Sequence, residues 1–423
     1  MSSRALTILG STVSSARRRA RHVAVAALLA TLGLVGVTGF APAPAYADWV
    51  RAEQWQLQAL NARTAWGISS GSRVIVAVLD SGVDATHPDL VGQVLPGADM
   101  VDGSTDGRHD FVGHGTTVAA LIAGRNDDRD GVAGVAPKAK ILPVRVLDEN
   151  NRYDDAATVA KGLRWAVDHG ARVVNMSLGG GTRSADLADA IDYAYAHDVV
   201  VVACTGNVTR DGPTQVWYPA REPGVVAVAG LTDAAGTGGD ARDDTLWAGA
   251  LTGPQTVLTA PAADLLGARP GGYWKVQGTS FAAPLVSASA ALIRSRWPTM
   301  SAANVINRLI STARDLGAPG RDNQYGFGEV DPLSALTATV PTVAANPLAP
   351  PVEQRLGPIE TKVGASPGGG GPTGSDLPQA AAAQEATGLD PGRSPWNLVG
   401  PSVALAALLL AGTVLLRRRD QQD

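Results

Sequence analysis

Three short segments of the chain carry the residue types that acyl transfer by a serine requires. "LDSGVD" presents Asp80, "GHGTTVAALIAG" presents His114, and "GTSFAAPLVSASAALI" presents Ser280. A serine hydroxyl becomes a nucleophile when a base takes its proton. That base, an imidazole, needs a carboxylate to fix its tautomer and to stabilise the cation it becomes. His114 stands between two glycines where a helix-forming run begins, and glycine lets neighbouring loops approach closely. The other histidines are poorer bases. His22 lies in the N-terminal leader, and His169 and His197 end helical patterns, where a cation is favoured by the helix dipole. His87 sits in the polar turn "ATHPDL" and His109 in the loop before the second segment. Ser280 opens a long apolar helix whose free N–H groups favour a developing oxyanion. Taken alone, the tripeptide "GTS" reads first as a plain helix N-cap at Thr279 or Ser280.

These side chains need a rigid frame. Val-rich runs, "RVIVAVLD", "KILPVRVLD", "RVVNMSLG", "VVVVACTGN" and "GVVAVAGL", read as buried strands. Between them, "AATVAKGLRWAVDHG" and "SADLADAIDYAYAHD" are amphipathic at helical spacing. Continuous apolar strands alternating with helices predict an α/β domain of three layers around a mostly parallel sheet, spanning residues 73–340. Asp80 then closes the first strand.

The chain has 423 residues, 45% hydrophobic and 17% charged, with a formal net charge of -4, so it carries no electrostatic footprint for nucleic acid. Residues 1–47 read as a secretory signal: a cluster of arginines, the apolar run "VAVAALLATLGLVGV" and a small-x-small site at Ala45-Tyr46-Ala47. Residues 341–396 are rich in Pro, Gly and Ala and predict a flexible stalk. Residues 397–416 are uncharged and long enough to cross a bilayer. Arg417, Arg418 and Arg419 follow and predict that tail 417–423 is cytoplasmic, with the domain outside. The single cysteine, Cys204, excludes an internal disulfide. In "NDDRDG", Asn126, Asp128, Asp130 and Gly131 open like an EF-hand loop, but its twelfth position is Pro137, so the loop reads as a solvated turn and no metal is assigned. No cofactor is called for.

Taken together, "LDSGVD", "GHGT" and "GTSFAAP" in that order resemble the subtilisin-like serine proteases. The resemblance implies Asp80 as orienting acid, His114 as general base and Ser280 as nucleophile. It implies an oxyanion hole from the Asn207 side chain and the Ser280 N–H. It further implies that Ser177, Leu178 and Gly179 bind a polypeptide substrate as an added strand, with Cys204, Thr205 and Gly206 forming the opposite wall of the first specificity pocket. The segment "DWVRAEQWQLQALNARTAWGIS", together with the stalk and membrane helix, resembles the mycosins, membrane-anchored subtilases of actinobacterial type VII secretion systems. That likeness implies secreted substrates and a membrane secretion complex as partners. Cell-surface or spore-envelope proteolysis, or a scaffold role with dispensable proteolysis, stand as alternatives. Residues 48–72 are too short for an independent propeptide domain and predict a brace that buries Trp49, Trp55, Leu57, Leu60 and Trp66.

Overall fold

Buried on both faces, the Val-rich runs can satisfy their backbone groups only by pairing with one another. In the computed structural model, which describes residues 48–128, 130–210, 212–233, 244–349 and 387–388, they do so as β1 (Ile75–Asp80), β3 (Lys140–Arg145), β4 (Val173–Met176), β5 (Val200–Cys204) and β6 (Val226–Asp233). With β2 (Ala98–Asp99) and β7 (Asp244–Leu246) the order is β2-β3-β1-β4-β5-β6-β7, and β8 (Leu258–Pro261) also pairs with β6. All pairings are parallel except the antiparallel β6–β7. The register sets Asp80 opposite Arg145, Leu79 opposite Met176, and Met176 opposite Ala203. The carboxyl ends of β1, β4 and β5 therefore share one edge, the edge at which open α/β sheets place ligands.

The two expected amphipathic helices are present as α5 (Ala156–Asp168) and α6 (Ala185–Ala196), after α4 (His114–Ala123). The longest helix, α7 (Thr279–Arg296), is buried from Thr279 through Arg294, so it runs inside the domain and not over it. A hairpin of β9 (Leu265–Arg269) and β10 (Gly272–Val276) precedes it, and Thr387–Gly388 pairs along β10. Helices α8 (Ala302–Ser311) and α9 (Pro332–Thr337) complete the fold.

The segment from residue 48 forms three short helices, α1 (Asp48–Ala52), α2 (Trp55–Ala59) and α3 (Ala62–Trp66). Trp55, Leu57 and Leu60 are buried in the main core and Trp66 packs against it. Trp55 Nε1 donates to the Ala263 carbonyl at 3.1 Å, Trp66 Nε1 to that of Val135 at 2.9 Å, and Ser69 Oγ to that of Leu292 at 2.8 Å. Trp49 departs from the expectation and stands 38% exposed, because Val50 and Arg51 take the inward face of that turn. The "NDDRDG" loop departs as well. It is not solvated on its inner side, since the buried guanidinium of Arg51 donates to the carbonyls of Arg125, Asp128, Asp130 and Gly131.

Past Val340 the chain stays on the domain: Val343 N donates to Asn304 Oδ1 at 2.9 Å, and Gly224 N to the Leu348 carbonyl at 3.0 Å. No helix among the described residues is long and apolar enough to cross a membrane. The expected signal at 1–47, most of the stalk and the expected span at 397–416 lie outside the described residues.

Candidate active site

Asp80 is the last residue of β1 and wholly buried. Its Oδ1 accepts from Ser81 N at 2.8 Å and from His114 Nδ1 at 2.7 Å. A carboxylate only accepts, so the Nδ1 proton is fixed there and His114 Nε2 is left as the acceptor. Nε2 is buried with no hydrogen-bond partner among the described residues.

Two helices deliver the imidazole and the hydroxyl, and both start without a side-chain cap. Asp155, Ser184, Ser301 and Asp331 cap α5, α6, α8 and α9 through their own side-chain oxygens. The N-caps of α4 and α7 are instead Gly113, at φ 87°, and Gly278, at φ 143°. Ser280 is thus the second residue of α7 and not its N-cap. Asp110 takes over the capping of α4 from outside, accepting from Gly113 N at 2.7 Å and Thr116 N at 2.8 Å. Ser81 Oγ donates to Asp110 Oδ1 at 2.9 Å and accepts from Gly115 N at 3.0 Å, tying the turn after β1 to the helix. Helix α4 approaches β1 so closely that a Cβ on Gly115 would lie 3.2 Å from Asp80 Oδ1.

On the other side, the His114 and Phe281 rings stand 5.3 Å apart, so the imidazole lies against the first turn of α7. Ser280 is 2% exposed. Its Oγ donates to the Ser177 carbonyl at 3.3 Å and approaches Cys204 Sγ at 3.9 Å. Pro284 has no N–H to offer the Ser280 carbonyl four residues back. Ser177 Oγ supplies the missing donor at 2.6 Å and is itself held by Asn175 Nδ2 at 2.9 Å, whose Oδ1 accepts from Ser287 Oγ at 2.9 Å. This chain of side chains locks the start of α7 to the end of β4.

Asn207 lies three residues beyond β5 and is wholly buried. Thr279 N at 3.0 Å and Thr279 Oγ1 at 2.9 Å both donate to its Oδ1, which fixes the carboxamide orientation. Nδ2 is thereby a donor, buried and without a partner among the described residues. Leu178 and Gly179 follow β4 without a ladder partner, whereas Gly180 already bridges to Tyr218. Thr205 and Gly206 are buried as well. Burial pushes the Cys204 thiol up to about 11, so it is protonated at neutral pH.

The fold therefore brings Asp80, His114, Ser280, Asn207 and both expected substrate segments to one end of the sheet. The turn histidine, His87, is 4% exposed, its Nδ1 accepting from Asp89 N at 3.3 Å. The ring Nδ1 atoms of His169 and His197 bond the carbonyls of Trp165 at 2.7 Å and Tyr193 at 2.8 Å at their helix ends. Asp110 and Thr279 are the residues that sequence reasoning missed. An Asp three residues before a Gly N-cap signals the first, whereas the second is masked by its own N-cap propensity. Burial lowers the pKa of Arg269, while the charges of Asp110 and Asp80 oppose that shift.

The sequence model of the subtilase family, peptidase class S8, matches residues 71–328. The chain is 38% identical to fervidolysin of Fervidobacterium pennivorans over 322 residues, 70% of this chain and 45% of that protein. It is 39% identical to subtilisin of Bacillus pumilus over 268 residues, 63% of this chain and 92% of that one. It thus spans just under half the length of fervidolysin. Among solved structures, MycP1 from Mycobacterium smegmatis is 28% identical with a TM-score of 0.59, covering 70% of this chain and 87% of its own. The MycP3 protease from the type VII (ESX-3) secretion system is 30% identical with a TM-score of 0.58, covering 67% and 88%.

Proposed function

Because the chain belongs to the subtilase family, we propose that it is a serine endopeptidase acting through an acyl-enzyme on Ser280, and that it serves as a mycosin in a type VII secretion system. The observation that carries the first part is the 2.7 Å bond from His114 Nδ1 to Asp80 Oδ1, which leaves Nε2 free beside the start of α7. Nε2 takes the Ser280 hydroxyl proton as Oγ attacks the peptide carbonyl, and Asp80 stabilises the imidazolium that results. In the free protein Oγ rests on the Ser177 carbonyl. The bond from Oγ to Nε2 would form in the substrate complex, where catalytic bonds that are long in the free protein tighten. Negative charge then collects on the former carbonyl oxygen, where Asn207 Nδ2 and the Ser280 N–H donate. His114 returns the proton to the leaving amine, and water repeats the sequence to release the acid.

The mycosin reading rests on the structural likeness to MycP1 and MycP3, on the helical brace at residues 48–72, and on the expected signal and membrane span. It places the domain outside the membrane, tethered by its stalk, with an extended polypeptide as substrate.

The test is hydrolysis of peptide substrates by full-length wild type and Ser280→Ala. The variant should keep its fold and lose about 10⁶-fold in turnover; equal rates would overturn the reading. In a deletion strain, secretion restored by wild type but not by Ser280→Ala supports the proteolytic role. Rescue by both assigns a scaffold role instead.

A further inference from the structure

The proposed nucleophile stands between two segments: its Oγ is 3.3 Å from the Ser177 carbonyl and 3.9 Å from Cys204 Sγ. A peptide whose carbonyl carbon is attacked there carries the side chain of that same residue one atom away. This side chain must enter the gap bounded by residues 177–179 on one side and 204–206 on the other.

That gap is already filled. Trp217 is 2% exposed and among the largest fully buried side chains described. A Cβ placed on Gly206 would lie 2.6 Å from its Cγ and its Cε2, and one on Gly179 would lie 3.1 Å from its Cβ and 3.4 Å from its Cε3. The indole therefore spans the gap from one wall to the other, touching both at glycines. Its own backbone holds it there: Trp217 N donates to the Thr205 carbonyl at 2.9 Å, and Tyr218 N to that of Gly180 at 2.8 Å. One short segment thus closes the floor between both walls. The ring N–H has no partner among the described residues, although a buried tryptophan ordinarily finds one. Packing against the two glycines, and no polar network, sets the position of the ring.

We propose that Trp217 is the specificity-determining residue of this enzyme, occluding the first side-chain pocket so that only a peptide with glycine, alanine or serine before the scissile bond is cleaved efficiently. This rests on the protease reading above. Larger side chains would need the indole to leave a space where it meets both walls, and cores resist overpacking. A single methylene in a pocket is worth about 10–200-fold in discrimination. A phenyl ring, several carbons larger than a methyl, should be disfavoured by at least about 10²-fold.

The test scans succinyl-Ala-Ala-Pro-Xaa p-nitroanilides, with Xaa as Gly, Ala, Ser, Leu, Phe and Lys, using the full-length protein. The fraction of protein labelled by a fluorophosphonate is measured alongside. Wild type should prefer Ala to Phe and Leu in kcat/KM by at least about 10²-fold. Trp217→Ala should raise Phe relative to Ala by tenfold or more, roughly, with the change mostly in the Phe kcat/KM. Trp217→Phe, which keeps an aromatic ring in place, should move the profile the same way by less, and the wild-type profile stands whether or not either variant folds. Comparable rates on Ala and Phe in labelled wild type overturn the proposal alone, as does an unchanged profile in a folded, labelled Trp217→Ala. Absence of both labelling and cleavage of every substrate would overturn the protease reading, and this proposal with it.

Discussion

The orientation of a single carboxamide shows how the site is assembled residue by residue. Asn207 can donate to an oxyanion only if its Oδ1 is occupied, and Thr279 occupies it twice, through N and Oγ1. Asn207→Ala should lower kcat by about 10² to 10³ with KM little changed, because the bond is made only as charge develops. Thr279→Val removes one of the two orienting donors and should lower kcat less, by about tenfold, again with KM unmoved. Steady-state kinetics on a small-residue peptide reads both. A fall in Thr279→Val larger than that in Asn207→Ala would mean that Thr279 acts elsewhere than through Asn207. Asp80, His114 and Ser280 were legible because each lies in a short segment with its own chemical logic. Asn207 was legible only through family resemblance, since an Asn after Gly is common in turns. Trp217 left no trace, because its role comes from meeting glycines that are distant in sequence.

Among the elements, the five Val-rich strands and the two amphipathic helices were readable from periodicity. Strand β2, strands β7 and β8, and the β9–β10 hairpin were not, because they are short and lack the continuous Val-rich run that marks the others. The Gly271-Gly272 turn was the available hint of the hairpin. The N-terminal brace was expected from its apolar side chains, but its most specific contact was not. Arg51, 8% exposed, holds four carbonyls of the loop that resembled a cation site. A guanidinium carried by the brace thus fills the inside of that loop. Arg51→Leu should cost about 1 to 3 kcal/mol, the usual penalty when buried acceptors lose their donor, and should open the loop to proteolysis near residues 125–131. Thermal unfolding and limited proteolysis check this, and an unchanged melting temperature with an intact loop would remove Arg51 as the tie between brace and domain.

Over the whole molecule, the candidate site is a consequence of topology. Asp80 and Ser280 are 200 positions apart, yet the parallel order β1-β4-β5 sets the ends of three strands side by side, and the buried α7 brings its N-terminus to the same edge. Fold class was legible because the strand and helix patterns alternate. Where the domain ends was not, since residues 341–349 have a linker's composition but hydrogen-bond to α8 and to the loop at Gly224. The central claim is that this convergence makes Ser280 a nucleophile activated by His114. It is tested most directly by reacting full-length wild type and His114→Ala with a fluorophosphonate at neutral pH, following the rate of adduct formation and mapping the adduct by peptide mass spectrometry. The account predicts a single adduct on Ser280 in wild type, formed at least about 10²-fold more slowly in His114→Ala, as loss of a general base requires. An adduct on another residue, or equal rates in the two proteins, would contradict it.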